Sequence, residues 1–369
     1  MSDDDLPEAD RIEGASHPRE TPDLFGQQDA ENAFLAAWTE GRQHHAWLLS
    51  GPRGIGKATL AWRIARFLRS QSGDDPGLFG DAPAPTTLDT EPDHPIARRM
   101  TALSDPGTLL IRRTWDADRK KLKAQITVDE VRKLNAFFGL SAPDGGNRVV
   151  IVDSADDMNP SAANALLKVL EEPPANATLL LVSHQPARLL PTIRSRCRML
   201  RLSPLGPEPL AQALNQAGVD VPDGAALAEL AAGSAGEAIR MIEQDGPSIY
   251  AGLMHILSSA PDMDRQAVLA FAEQSALRGA EDRLHLTLRL MDLALVRLAR
   301  SGAGHPPSQG AAPQETDVLA KLSATAPRHW ADLQEKLSAR LRHGLAVNVD
   351  AASLITDALL QINETARGG

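Results

Sequence analysis

The sequence predicts an α/β protein with a parallel sheet covered on both faces, followed by an all-helical region. Three observations carry this. Apolar runs that read as buried strands alternate with helical patterns over the first 205 residues, the order that builds parallel sheets. The string Gly51-Pro52-Arg53-Gly54-Ile55-Gly56-Lys57 has the G-x-x-x-x-G-K spacing of a phosphate-binding loop, set between a strand and a helix. Beyond residue 205 strand patterns stop, and the chain is rich in Ala and Leu at helical spacing.

In order along the chain, residues 1–20 read as an acidic, disordered tail rich in Asp, Glu, Pro and Gly. Residues 27–41 form a helix, with Ala30, Phe34, Ala37 and Trp38 on one face. The run Ala46–Ser50 is a strand entering the glycine loop, and Ala58–Ser70 the helix behind it. Residues 71–95 carry Gly, Asp and Pro without periodicity and read as a loop. Leu109–Ile111 is a strand, and 127–139 a helix opened by Thr127 with Glu130 three residues on. Asp144–Asn147 is a turn leading into Arg148–Asp153, a buried strand ending in a carboxylate. Asn159 and Pro160 supply an N-cap and an N1 proline for a helix stopped by Pro173-Pro174. Ala177–Ser183 is a further strand. The expected domains are a tail at 1–20, a P-loop α/β domain at 21–205, a short helical part at 206–245, and a longer one at 246–369 broken by the loop Ser301–Pro313.

Composition narrows the chemistry. The formal net charge is −10, but residues 1–32 hold ten Asp/Glu against two Arg, so the body of the chain is close to neutral. The start, MSDDDLPEAD, has neither the basic nor the apolar region of a signal peptide. No run of about 18 apolar residues exists, so the expected compartment is the cytoplasm. The single cysteine, Cys197, excludes an internal disulfide and a multi-cysteine zinc site.

The loop glycines let backbone N–H groups converge on phosphate oxygens, with Lys57 neutralising the outer phosphates. The next position calls for Ser or Thr to ligate Mg²⁺, and this chain has Ala58. Thr59 is adjacent but turned about 100° away. Asp153 stands where a second Mg²⁺ carboxylate belongs. The residue after it, where hydrolysing enzymes place a Glu that activates water, is Ser154, which is no base at neutral pH. Asp156 and Asp157 read as solvated residues.

Gly51–Thr59, Val149–Asp153, Asn164-Ala165-Leu166-Leu167-Lys168-Val169-Leu170-Glu171-Glu172-Pro173-Pro174 and Ile193-Arg194-Ser195-Arg196-Cys197 occur in that order. Together they resemble the clamp-loader AAA+ subunits of bacterial DNA polymerase III. The stretch Leu179–Arg198 is most similar to the delta-prime members of that family. The likeness covers residues 20–243 well and the C-terminal helices by length and composition alone.

This resemblance implies an AAA+ P-loop domain, a helical lid at 206–245 and a helical collar at 246–369. It implies a subunit of a ring that loads the sliding clamp on primed DNA in replication, with motor (gamma/tau) and clamp-opening (delta) subunits as partners, and no membrane. By it Arg196 is an arginine finger reaching a neighbour's ATP site, where a guanidinium stabilises charge on the transferring phosphoryl group. The bland alternative is an arginine paired within its own subunit. Candidate nucleotide contacts are Gly51, Gly54, Gly56, Lys57, Thr59, Asp153 and Ser183, the last at the polar sensor-1 position.

Active relatives place an Arg at the end of a G-S-x-R string, where this chain has Gly236. Ala58, Ser154 and Gly236 each remove a hydrolytic part, so ATP hydrolysis by the chain itself is expected to be impaired, and ATP binding is left open. Many relatives carry a four-cysteine zinc module. The stretch 71–110 has no cysteine, His94 reads as a loop residue, and no zinc is expected. The rival reading is a self-sufficient AAA+ P-loop ATPase, a motor-type loader subunit or another enzyme. Trp38, Trp47, Trp62, Leu166, Leu167 and Leu170 read as packing residues, and Arg98-Arg99 and Arg112-Arg113 as a solvated face.

Overall fold

The computed structural model describes residues 6–71, 85–139, 146–219, 224–277, 279–324 and 327–368. The first elements are α1 (Gln28–Thr39), β1 (Ala46–Ser50), α2 (Lys57–Ser70), α3 (Pro95–Thr101) and β2 (Thr108–Arg112). A short hairpin, β3 (Trp115–Asp116) and β4 (Lys121–Leu122), precedes α4 (Val128–Gly139). Next come β5 (Arg148–Asp153), α5 (Pro160–Glu171), β6 (Ala177–Ser183), α6 (Pro191–Arg194), β7 (Arg198–Arg201) and α7 (Pro207–Gln216). The N-cap expected for α5 is present: Asn159 Oδ1 accepts from Ala162 N at 2.8 Å, with Pro160 at the first turn.

Strands β2-β5-β6-β1-β7 form one parallel sheet in that order. Alternate side chains serve opposite faces. Trp47, Leu49, Val149, Ile151, Leu180 and Val182 pack with Phe34, Leu60, Ile64 and Phe67 of α1 and α2. Leu48, Val150, Val152, Leu179 and Leu181 pack with Val131, Leu134, Leu166 and Leu170 of α4 and α5. Each such fully buried Val or Leu stabilises the fold by roughly 1.5–3 kcal/mol. The register pairs Ser50 with Ser183 and Arg112 with Asp153. The carboxyl ends of the strands thus share one edge, where ligands of open α/β sheets bind.

The described part of the N-terminal segment is folded, correcting the expectation of a disordered tail; residues 1–5 lie outside the described residues. Glu8 pairs with Arg19 and Arg112, each at 2.7 Å. Asp10 pairs with Arg112 and stands 3.1 Å from His17 Nε2, and His17 is fully buried with its ring edge-on to Trp62. The acidity that suggested solvation is matched by long-range cations on β2 and on the segment itself. Of the expected 71–95 loop, residues 72–84 lie outside the described residues, as do Asp144 and Gly145 of the expected turn.

Past residue 205 the described elements are helices: α8 (Gly224–Leu230), α9 (Ala235–Glu243), α10 (Gly246–Ser258), α11 (Arg265–Ser275), α12 (Glu281–Gly302), α13 (Glu315–Leu322), α14 (Pro327–Ala346) and α15 (Ala351–Arg367). The chain divides into two compact units, Met1–Val219 with Ser234–Gly236, and Asp220–Gly233 with Glu237–Gly369. Within the second unit α12 packs along α14, and α15 along α11 and α14. Leu290, Leu298, Trp330, Leu337, Ile355 and Leu359 are buried there. Glu315, also fully buried, accepts from Tyr250 Oη at 2.6 Å and pairs with Arg297 Nε at 2.7 Å. Among the described residues no helix is long and apolar enough to cross a membrane.

Candidate functional site: the phosphate loop and the arginine turn

Strand β1 delivers the chain to Gly51, and the loop turns on Gly51, Gly54 and Gly56 at φ 148°, 71° and 97°, a region natural to glycine. Space demands it too: a Cβ on Gly54 would stand 2.3 Å from Ser234 Oγ, and one on Gly51 2.5 Å from the Leu202 carbonyl oxygen. Helix α2 then opens at Lys57, with its positive end toward the loop.

The polar groups around this loop already have partners. Lys57 is buried, and its Nζ donates to Gly51 O at 2.8 Å and to Pro52 O. Burial draws its pKa down to about 8, against the opposing charges of Asp153 and Asp156. Ser183 Oγ donates to Asp156 Oδ1 at 2.8 Å. Asp156 also accepts from Ser154 Oγ at 3.0 Å, from His184 N and from Gln185 N at 3.3 Å. Burial favours its neutral form, but these donors outweigh burial and hold its pKa below the ordinary value. Asp156 is therefore no solvated residue: it clasps the end of β6 to the end of β5. Its sequence signal was its place three residues past the strand-ending Asp153, facing the turn after Ser183. Asp157 pairs with Arg113 at 2.9 Å.

Asp153 is buried at the end of β5, and its pKa is pushed up to about 7, first by burial and next by the Asp10 carboxylate. Ala58 brings no hydroxyl to the loop, and Thr59, half-buried on α2, makes no side-chain hydrogen bond to the described residues. Gly236 N donates to Gly54 O at 3.0 Å, and Ser234 Oγ to Arg53 O at 2.9 Å, so the G-S-x-G string is sewn to the loop apex by its backbone. In this arrangement the loop does not fit a nucleoside triphosphate. Its lysine is turned onto its own carbonyls, its sensor hydroxyl is committed to Asp156, and the N-terminal segment lies against Gly56 and Gly236.

The structure brings Gly51, Gly54, Gly56, Lys57, Asp153 and Ser183 to one edge of the sheet. Arg196 stands apart, on the turn between α6 and β7. Its Nη1 donates to Thr192 O at 3.1 Å, its Nη2 lies 2.9 Å from Glu171 Oε1, and its side chain is 36% exposed. Cys197 is half-buried, which pushes its thiol pKa up to about 12. The solvated-face reading of the arginine pairs holds for Arg98, which is exposed and bound to Asp93 at 2.6 Å, but not for Arg112, locked to Glu8 and Asp10. Trp47 and Trp62 are buried packing residues, as expected.

Fold and loop define a P-loop α/β protein whose sheet is followed by a helical region. A family model described as DNA polymerase III, delta subunit, matches residues 26–206. The chain is 30% identical over 341 residues to DNA polymerase III subunit delta' of Escherichia coli K12, spanning 91% of this chain and 94% of that one. It is 41% identical over 166 residues to the subunit delta' of Pseudomonas aeruginosa, 44% of this chain and 45% of the relative. It is 30% identical over 210 residues to subunit gamma/tau of Mycobacterium bovis, 56% of this chain and 33% of that one. The chain belongs to the DNA polymerase III delta-prime family.

Proposed function

We propose that the chain is the delta-prime subunit of a DNA polymerase III clamp loader. It acts in the cytoplasm as a rigid ring member that helps load the sliding clamp on primed DNA. The observation that carries this reading is the match over nine-tenths of the chain to a subunit delta'. Its partners are the gamma/tau motor and the delta clamp-opening subunit, with clamp and DNA met through the complex. Arg196, on an exposed turn, is the arginine finger delivered to the neighbouring subunit's ATP site. The chain's own loop contributes little turnover: Ala58, Ser154 and Gly236 withhold the metal hydroxyl, the water-activating carboxylate and the phosphate-contacting arginine.

Co-purification of the chain with motor and clamp-opening subunits, followed by clamp loading on primed DNA by the reconstituted complex, tests the assignment. A complex that assembles and loads clamps equally well without the chain overturns it. So does a steady-state ATPase of the isolated chain that matches a motor subunit and vanishes in Lys57→Ala, which favours the self-sufficient enzyme.

A further inference from the structure

We propose that residues 8–24 form a strap that closes the phosphate loop of this same chain, so that nucleotide enters only when the strap is released. The inference goes beyond the clamp-loader reading and stands or falls apart from it, because it concerns the isolated chain.

The strap meets the loop at two glycines. Leu24 Cδ1 lies 2.5 Å from the position a Cβ on Gly56 would take. Ile12 Cδ1 lies 2.5 Å from the corresponding position on Gly236. Ile12 therefore fills the space that any side chain at residue 236 would need, and Gly236 in turn lies against the loop apex, 3.0 Å from where a Cβ on Gly54 would stand. Absence of a side chain at 236 and presence of the strap are two halves of one packing arrangement.

Charge acts in the same direction. The Asp10 side chain is almost fully buried, and its carboxylate is, after burial itself, the largest influence raising the pKa of Asp153 at the sheet edge. Arg112, its partner, offsets part of that charge, and the remainder opposes the approach of a polyphosphate.

The strap is anchored on β2 and α2 as well as at the loop. Arg112 holds Glu8 at 2.7 Å and Asp10. Two arginines of α2 hold its backbone: Arg66 donates to Arg19 O at 2.9 Å and to Thr21 O at 3.1 Å, and Arg63 donates to Pro22 O. Just past its end, Gln27 donates to Ile55 O at 3.1 Å and Ser203 O at 2.8 Å, tying the strap's exit to the loop.

The test uses the full chain and a fluorescent ATP analogue, with hydrogen exchange of the strap amides as a separate readout. In the double variant Glu8→Gln, Asp10→Asn the amides of residues 8–24 lose protection. The analogue then binds at least about tenfold more tightly than to the wild type, because apparent affinity scales with the fraction of open molecules. Adding Lys57→Ala abolishes the gain. Ile12→Ser, which leaves every ion pair in place, gives the same tightening and decides the matter if the charge variant does not fold. The proposal is overturned if the strap loses protection without tighter binding, if it stays protected in the folded variants, or if the wild type binds as tightly with its strap amides protected.

Discussion

Arg196 Nη2 lies 2.9 Å from Glu171 Oε1, joining the turn before β7 to the last residue of α5. The pair is exposed, and such pairs contribute about 0–1 kcal/mol, so it orients the guanidinium without tying it down. In a reconstituted loader, Arg196→Ala is expected to lower turnover at the one adjoining ATP site on the order of 10³-fold or more, with less effect on the summed rate. Arg196→Lys is expected not to rescue it, since an ammonium lacks the planar fork. Unchanged DNA-stimulated ATPase in the alanine variant excludes the finger assignment. The chain's own denaturation midpoint should stay put in both variants.

Asp156 gathers four donors from two strand ends. Asp156→Ala leaves Ser183 Oγ and two backbone N–H groups without this acceptor, and is expected to destabilise the first unit by about 1–3 kcal/mol. Because the folded-state pKa lies below the ordinary aspartate value, the contribution is fully present above that value and is lost as pH falls through the folded pKa. Urea unfolding at pH 7 and at pH 3 should show the gap between wild type and variant narrowing at the lower pH.

Asp153 titrates in the opposite sense. Its pKa rises from 3.8 to about 7 on folding, so between those values the folded state holds a proton that the unfolded chain has released. Stability falls as pH climbs through this window. Asp153→Asn is expected to be near neutral at pH 4 and stabilising by on the order of 1–3 kcal/mol at pH 8. A variant less stable than wild type at pH 8 contradicts this reading of Asp153.

In the second unit, Glu315 satisfies Tyr250, Arg297 and the Ala311 N–H together. Burial, then the Glu315 charge, raises the pKa of Tyr250, so its hydroxyl remains a donor at any working pH. Glu315→Ala takes the fully buried carboxylate away from Arg297, which keeps Glu229 at 3.2 Å, and is expected to cost about 3 kcal/mol, whereas Tyr250→Phe should cost about 1 kcal/mol. Thermal unfolding of the two variants separates these magnitudes.

The central strands were legible because Val149–Val152 and Leu179–Val182 are short continuous apolar runs bounded by turn residues, the pattern of a strand buried on both faces. Strand β7 was not: Arg198-Met199-Leu200-Arg201 buries Leu200 alone and shows no apolar run. The β3–β4 hairpin was missed because two-residue strands carry no period. At the site, the glycines, Lys57, Asp153 and Ser183 could be placed from local spacing. Their partners could not, since Asp156 reaches Ser183 across 27 positions and Asp10 meets Arg112 across 102. Composition made residues 6–20 look solvated, and only tertiary pairing shows otherwise.

Strand β7 closes the sheet order and, among the described residues, pairs with no strand but β1, so its far side is a sheet edge. A regular edge of this kind is a template for another chain's strand. Here it is four residues long, and its arginines Arg198 and Arg201 are exposed, the first with its guanidinium 5.1 Å from the centre of the Trp47 ring. A strand adding to this edge must dock beside two desolvating cations along a very short ladder. The same arginines that hid β7 from sequence reading are the charges that an incoming strand would have to strip of water. Replacing them with Val or Thr would make the strand easier to recognise and the protein harder to keep in solution.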